Sequence, residues 1–289
     1  MRKLIERLLI FFIGIPVVFA LVFLFPHYRH LVFNIIIVIF SAIGALEFSA
    51  MLEKKQLYVL KIEAVILGLL PPLSMTLAVS FSLPAWIIPV VLMAGASWVL
   101  ISRVFLNPAD LEKAAGRIAG CFSVMIYPGV FMCWIIRMNV WENPGAVFLF
   151  LLITFGNDSI AWLFGSLFGK NNRGLIKASP NKSIAGFIGG FLGAVLISAA
   201  AAYFFPSIFY ASASSNSFSG LILKVVILGF CTGLFAALGD LCESAIKRSC
   251  GFDDSGKIIL GRGGVLDSID SVAVAAPVYF LLFHAFFLY

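Results

Sequence analysis

Long apolar runs, separated by short charged or proline-containing segments, follow one another along almost the whole chain. The runs lack the strict alternation of half-buried strands, so their length predicts membrane-spanning helices and not a β-barrel. Helices also satisfy their own amide and carbonyl groups, which lipid cannot do. Nine runs are predicted as spans: Leu8–Phe25, 31–52, 58–81, 84–104, 117–136, 146–168, 184–205, 221–239 and 265–288.

Composition agrees with this pattern. The chain has 289 residues, of which 62% are hydrophobic and 12% charged, and its mean hydropathy is +1.07. These values exclude a soluble globular domain. The predicted fold class is an all-α, polytopic integral membrane protein with about nine transmembrane helices. Pro71, Pro72 and Pro84 interrupt the third and fourth spans. The basic start of the chain leads into an apolar run without a small-residue cleavage site, so we expect a retained first span.

Loop charges predict the orientation. With the N-terminus in the cytoplasm, 17 of the 20 lysines and arginines lie on the cytoplasmic side, whereas Arg29 and Arg137 lie opposite and Lys224 begins the eighth span. Cytoplasmic loops are typically enriched in basic residues. We therefore expect a multi-pass protein of the cell (inner, cytoplasmic) membrane with its C-terminus outside. The net charge of +6 then reflects loops that face anionic lipid, and no nucleic-acid partner is expected.

One charged stretch, residues 239–271, stands between the last two spans. It contains six of the 14 carboxylates of the chain, namely Asp240, Glu243, Asp253, Asp254, Asp267 and Asp270. It also contains the basic residues Lys247, Arg248, Lys257 and Arg262. Carboxylates bind hard cations, whereas basic side chains and glycine-rich backbone bind phosphates. The stretch predicts a metal–phosphate site at a membrane surface; the alternative is an ordinary solvated loop.

Helical spacing sharpens this interpretation. If the eighth span continues past Gly239, then Asp240, Glu243, Ser244 and Lys247 share one helix face. Asp267 and Asp270 are three residues apart at the start of the last span, and the loop supplies Gly256, Gly261, Gly263 and Gly264 for close approach to a ligand. We divide the chain into N-terminal helices, 1–140, with about five spans, and a catalytic region, 141–289, with a cytoplasmic-face metal and nucleotide site.

A second polar cluster lies in and after the sixth span. Asp158 stands within an apolar run, where a carboxylate faces either a polar cavity or a helix partner. Ser179 and Lys182 precede the seventh span, and a helix N-terminus with hydroxyls and a lysine suits phosphate. Glu47 is a weaker candidate for the same cavity. The five cysteines form no CxxC pair, and the three histidines lie outside the charged stretch; neither set predicts a zinc site.

These residues form patterns that resemble a known family. The patterns are Gly239-Asp240-Leu241, Glu243-Ser244, Ser244-x-x-Lys247-Arg248, Asp254-x-Gly256 and Gly261-x-Gly263-Gly264-x-x-Asp267-x-x-Asp270, with Asp158, Phe164-Gly165, Phe168-Gly169-Lys170, Ser179-Pro180-x-Lys182, Gly186 and Gly189-Gly190 upstream. Together they resemble the phosphatidate cytidylyltransferase (CDP-diacylglycerol synthase) family over roughly residues 150–280. The first five spans match this family only in length and character.

The resemblance implies transfer of CMP from CTP to phosphatidic acid, giving CDP-diacylglycerol and pyrophosphate in phospholipid biosynthesis. It implies Mg²⁺, with one cation or two, a setting among membrane lipids, and a homodimer. The implied catalytic residues are Asp240, Asp267, Lys247 and Arg248. The implied metal ligands are Asp240, Asp267, Glu243, Asp254 and Asp270. The implied substrate-binding residues are Ser179, Lys182, Ser244, Lys257, Arg262, Gly263, Gly264 and Asp158.

The chain departs from the family pattern at five positions, occupied here by Ala185, Asp253, Leu260, Arg262 and Ser268. The family has glutamate at the first of these, then lysine, proline, histidine and arginine. The carboxylates implied to bind metal are retained. Three alternatives stay open: a CTP-dependent lipid kinase of the polyprenol type, a secondary transporter with an intramembrane carboxylate, and an inactive paralogue.

Overall fold

The computed structural model describes the backbone of residues 2–213, 218–259 and 263–288, and the side chains of residues 13–107, 110–209, 220–259 and 263–288. Within these residues the regular secondary structure is helical, with two isolated β-bridges between loop residues. The α-helices are α1 (Arg2–Phe23), α2 (His27–Glu53), α3 (Lys61–Ser80), α4 (Ile87–Ile101), α5 (Pro108–Leu111), α6 (Ala114–Val124), α7 (Phe131–Met138), α8 (Pro144–Phe168), α9 (Ile184–Phe204), α10 (Phe218–Cys250) and α11 (Leu266–Phe287).

The all-α, multi-pass prediction is confirmed. Among the described residues, eight helical segments are long and apolar enough to cross a membrane: His27–Glu53, Lys61–Ser80, Ile87–Phe105, Ala114–Trp141, Pro144–Phe168, Ile184–Phe204, Gly220–Cys250 and Leu266–Phe287. The first predicted span coincides with α1, which contains the shorter apolar segment Ile13–Phe23. Residues 214–217, between the seventh and eighth predicted spans, lie outside the described residues.

The two prolines within α3 do not break it. Pro72 has no N–H for the carbonyl of Gly68, which would normally accept a hydrogen bond from that position. The Ser41 hydroxyl of α2 lies 2.7 Å from Gly68 O and also close to the Pro128 carbonyl, so its single proton serves these two acceptors in turn. A Cβ on Gly68 would overlap Ala45, so this glycine lets the two helices approach closely. Small residues and hydroxyl groups of this kind support proline-containing membrane helices.

The fifth predicted span is longer and less regular than expected. It runs from Ala114 to Trp141, where the sequence predicted 117–136. A π-helical segment, Met125–Val130, separates α6 from α7 and contains Pro128, and a 3₁₀ turn, Asn139–Trp141, ends the span. Because proline removes one backbone donor, a local widening of the helix is a common way to accommodate it.

The contacts divide the chain into two compact units. The first comprises Met1–Glu142 with Lys247–Ile269, and the second Asn143–Ile246 with Asp270–Tyr289. In the first unit, a buried ion pair joins Arg103 to Glu63 at 2.5 Å. The division into N-terminal helices and a catalytic region stays a prediction, although the contacts group Lys247–Ile269 with the N-terminal residues.

Close helix packing also shapes the second unit. Gly189 and Gly193 of α9 lie so near Phe164 and Ile160 of α8 that a Cβ on either glycine would overlap them. The buried Tyr279 hydroxyl of α11 donates to the Ala146 carbonyl of α8 at 2.8 Å. In the second unit, α8 therefore packs closely against α9 and is hydrogen-bonded to α11.

Candidate functional site

Asp267 collects four hydrogen-bond donors within the first unit. Its Oδ2 accepts from the backbone N–H groups of Gly264 (2.7 Å) and Ser255 (2.9 Å), and the Ser255 hydroxyl lies 2.8 Å away. Its Oδ1 pairs with Lys247 Nζ at 2.5 Å. A carboxylate in the first turn of a helix is stabilised by the N-terminal amides and the helix dipole. Asp267 therefore joins the end of α10, the connecting loop and the start of α11.

Glu47 of α2 reaches the same helix start from a distant part of the first unit. Its Oε2 accepts from Leu266 N at 2.8 Å, and its Oε1 accepts from Val265 N at 3.1 Å. Glu47 is only 8% exposed, so its charge depends on such partners. Ser255 Oγ lies 3.3 Å from Glu47 Oε2. That hydroxyl has a single proton, and the nearer Asp267 is its better acceptor.

The positions of these two carboxylates explain why three residues of the loop are glycine. A Cβ on Gly256 or Gly264 would overlap the Glu47 carboxylate, and one on Gly264 would also overlap Ser255 Oγ. Gly263 has φ +109, a backbone conformation that residues with a side chain rarely adopt, and a Cβ there would crowd Asp254 and Asp267. The sequence analysis expected Gly256 and Gly264 to let the backbone approach a ligand closely. In the structure, the group that lies close to both glycines is the Glu47 carboxylate.

The other charged residues of the stretch lie at the surface of the first unit. Arg248 pairs with Asp253, and their side chains are 51% and 90% exposed. Asp254 and Lys257 are also exposed. Arg262, together with Leu260 and Gly261, lies outside the described residues. The phosphate-binding role predicted for Arg262 therefore stays a prediction.

Lys182 and Asp240 form an ion pair in the second unit. Their Nζ and Oδ2 atoms lie 2.5 Å apart, and the side chains are 24% and 33% exposed. The Ser244 hydroxyl, one turn along α10, donates to Asp240 Oδ1 at 3.3 Å. The helix α10 continues past Gly239 to Cys250, as the spacing predicted. The structure thus brings together Lys182 and Asp240, which the sequence placed in separate clusters.

Asp270 and three other acidic side chains interact electrostatically in the second unit. The Asp270 carboxylate lies within electrostatic range of Asp240, Glu243 and Asp158. Asp270 and Glu243 are buried, 6% and 0% exposed. A Cβ on Gly239 would overlap the Asp270 backbone, so this glycine lets α10 and α11 approach closely. We call Asp158, Asp240, Glu243 and Asp270 the acidic cluster. Three of its members were predicted metal ligands, and Asp158 was predicted to bind substrate.

The sequence analysis missed Asn157, which is 2% exposed. Its Oδ1 has no hydrogen-bond partner within the described residues, and a Cβ on Gly190 or Gly233 would contact that atom. The side chain lies between α8, α9 and α10 and is adjacent in sequence to Asp158. Two consecutive polar residues within an apolar run were a signal that could have identified it.

A second missed residue, Ser183, caps α9. Its hydroxyl accepts from Gly186 N at 3.0 Å. Ser179, predicted to offer a hydroxyl at this helix start, lies instead in the preceding turn, where its carbonyl accepts from Lys182 N. A serine directly before an apolar run is a typical N-cap, so the sequence did contain the signal.

The donor chemistry of the acidic cluster fits a hard cation. Several carboxylates held close to one another repel, and a divalent ion such as Mg²⁺ relieves that repulsion while using oxygen ligands. Within the described residues, however, no group of three or more histidine, cysteine, aspartate or glutamate side chains is arranged so that it could hold a metal ion. Asp267 in the first unit has both oxygens engaged by its own chain. The predicted metal ligands therefore stay a prediction.

Comparison with known proteins identifies the family of this chain. The model of the family described as "Cytidylyltransferase family" matches residues 5–286. A protein of Staphylococcus aureus (strain COL) named phosphatidate cytidylyltransferase is 33% identical over 164 residues, which is 57% of this chain and 58% of that protein. Proteins of the same name from Staphylococcus saprophyticus and Staphylococcus epidermidis are 30% and 32% identical over the same shares. The matched segment thus spans somewhat more than half of each relative.

Proposed function

Because this chain belongs to the cytidylyltransferase family, we propose that it transfers CMP from CTP to phosphatidic acid and releases pyrophosphate. The observation that carries the proposal is the acidic cluster beside Lys182, within a chain whose relatives are named phosphatidate cytidylyltransferase. Carboxylates and a lysine are the groups that a triphosphate with its cation requires. A site among membrane helices suits a substrate whose acyl chains stay in the bilayer.

The reaction needs positioning and charge neutralisation more than covalent help. An oxygen of the lipid phosphate attacks the α-phosphorus of CTP, the bond to the bridging oxygen breaks, and pyrophosphate leaves with the electron pair. The attacking phosphate is already anionic, so the protein need not remove a proton. Holding the reactants in line and matching the developing charge supply most of the acceleration in such transfers.

Named residues take the following parts in this proposal. Asp240, Glu243 and Asp270 would hold the cation, with Asp158 at the edge of the same group. When bound, the cation neutralises phosphate oxygens and stabilises the leaving group. Lys182 pairs with Asp240 in the structure and would turn to the phosphates when the cation takes that carboxylate. In the first unit, Lys247 and Asp267 would hold the loop in place, and Arg248 and Lys257 would meet anionic substrate at the surface.

Label transfer tests the function. Pure protein in lipid is incubated with Mg²⁺, phosphatidic acid and CTP that is labelled either in the base or in the γ-phosphate. A cytidylyltransferase moves base label, and no γ label, into the lipid phase. Transfer of γ label instead would show a lipid kinase. No transfer of either label would favour a transporter or an inactive paralogue.

We also propose that Arg262 is a fixed phosphate clamp. The resemblance has histidine at this position, but arginine stays protonated and cannot shuttle a proton, and the reaction above needs none. Arg262→Lys should retain part of the activity with a higher KM for CTP or phosphatidic acid. Arg262→Ala should lose more, because it removes the positive charge as well as the bidentate donor, whereas lysine keeps the charge. If Arg262→His greatly raises the activity of an almost inactive wild type, the clamp is wrong and the chain is a degenerate paralogue.

The orientation and assembly are proposed as well. The distribution of basic residues supports a cytoplasmic N-terminus and an external C-terminus in the bacterial cell membrane. A reporter fused after Tyr289 should lie outside, and one inserted near Asn172 should lie inside. Both reporters on one side would overturn this topology. The family resemblance supports a homodimer, which mass measurement of the protein in lipid discs would test.

A further inference from the structure

We propose that Glu47 of α2 is a positioning residue for the loop that carries Asp254 and for the start of α11, which carries Asp267. The inference rests on the proposed function for its catalytic consequence, but its structural basis lies entirely in contacts within the first unit. Glu47 lies more than two hundred residues before the segment it holds. It does not bind substrate in this proposal. It acts by fixing the backbone that presents other groups.

The contacts show how Glu47 fixes this backbone. Each of its oxygens accepts from a different amide at the start of α11, Val265 N at 3.1 Å and Leu266 N at 2.8 Å. The first amides of a helix have no partner within the helix and need an external acceptor. A buried carboxylate that accepts two such donors is held firmly, and in turn holds the helix start.

Ser255 links Glu47 to Asp267. Its hydroxyl lies 3.3 Å from Glu47 Oε2 and 2.8 Å from Asp267 Oδ2, and it accepts from Asp267 N at 3.2 Å. Asp267 in turn pairs with Lys247. A displacement of Glu47 would therefore reach Ser255, Asp267 and Lys247 through direct contacts.

The glycines give independent support. Gly256 and Gly264 lie next to each other against the Glu47 carboxylate, and a Cβ on Gly256 would overlap Oε1 and one on Gly264 would overlap Oε2. The loop thus carries glycine at the two positions where Glu47 needs space. This close fit points to a carboxylate of defined position and not to a charged side chain that merely occupies a cavity.

Kinetics supply the first test. Glu47→Gln keeps the size of the side chain but turns one acceptor into a donor that faces an amide. We expect kcat for label transfer, measured on monodisperse protein, to fall about 10- to 100-fold, as for other residues that support catalytic ligands. The KM values should change little. Glu53→Gln, the same change at an exposed position of the same helix, should leave kcat unaltered. A wild-type kcat in Glu47→Gln would overturn the proposal.

Hydrogen exchange supplies a readout that needs no activity. In Glu47→Gln, amides in fragments covering residues 252–269 should exchange about tenfold faster, the change expected when roughly one hydrogen bond is lost. Fragments from α8 and α9 should be unchanged. Loss of kcat without faster exchange in residues 252–269 would show that Glu47 acts in another way. If wild-type protein transfers no label, the proposed function fails, and the exchange result alone decides the role of Glu47.

A double-mutant cycle tests the contact itself. Gly256→Ala should displace the carboxylate without altering its charge and should speed exchange in the same fragments, even if Glu47→Gln fails to fold. In the Glu47→Ala background, most of the effect of Gly256→Ala on exchange should disappear, because the overlapping group is gone. Independent, additive effects of the two substitutions would contradict the proposal.

Discussion

The acidic residues of the two units differ in the groups that surround their negative charge. In the first unit, all four carboxylate oxygens of Asp267 and Glu47 accept hydrogen bonds or an ion pair from the protein. In the second unit, Asp270 lies within electrostatic range of three further acidic side chains, and Lys182 pairs with Asp240. The first pair of carboxylates is satisfied by donors of the protein itself, whereas the second group gathers negative charge of the kind that a hard cation would offset. Carboxylates of similar spacing in the sequence thus have different surroundings.

The largest effect is expected at Asp267. Asp267→Asn removes the negative charge that Lys247 and three other donors share, so activity should fall to background. Thermal stability should fall as well, by about 1–3 kcal/mol, because a partly buried lysine and backbone amides lose a charged acceptor. Activity and the midpoint of thermal unfolding in detergent are measured together. Lost activity with an unchanged midpoint would instead identify Asp267 as a ligand with no role in positioning.

Asp240→Asn should separate activity from stability. We expect activity to fall about 100-fold or more, because an amide lacks the charge that a hard cation requires. The unfolding midpoint should stay near that of wild type, since the loss of the Lys182 ion pair is offset by weaker repulsion of Asp270. Lys61→Ala, at the exposed start of α3 and outside the acidic cluster, serves as the control. A normal turnover, or an activity of wild-type protein that is independent of Mg²⁺, would contradict the cation site.

The sequence predicted the helical spans well because apolar length is a local property of each segment. It also predicted the continuation of α10 past Gly239, since the spacing of Asp240, Glu243 and Ser244 is helical. It could not predict that Pro72 would be tolerated, because the compensating hydroxyl belongs to Ser41 of another helix. The widening at Pro128 likewise depends on the surrounding helices.

The candidate site was predicted in composition but not in arrangement. Asp240, Glu243, Asp267 and Asp270 became candidates because they are carboxylates that lie between two apolar spans. Their separation into two units depends on packing, which spacing does not contain. Glu47 was only a weak candidate because its partners lie more than two hundred residues away. Asn157 and Ser183 left local signals that were overlooked.

The smallest effect is expected at the exposed pair of Arg248 and Asp253, which contrasts with the buried contacts of Asp267. Exposed ion pairs contribute about 0–1 kcal/mol, so Asp253→Asn should barely change the unfolding midpoint.

A second substitution at this position, Asp253→Lys, introduces the residue that the phosphatidate cytidylyltransferase pattern has there. It frees Arg248 from its ion pair and adds positive charge. We expect the KM for CTP to fall up to about fivefold at low salt, an effect of the size of one exposed pair. The gain should shrink as ionic strength rises, because exposed charges are screened. A large change that persists at high salt would mean that Asp253 shapes the site directly, and the contrast between the buried and exposed charges of the first unit would then be wrong.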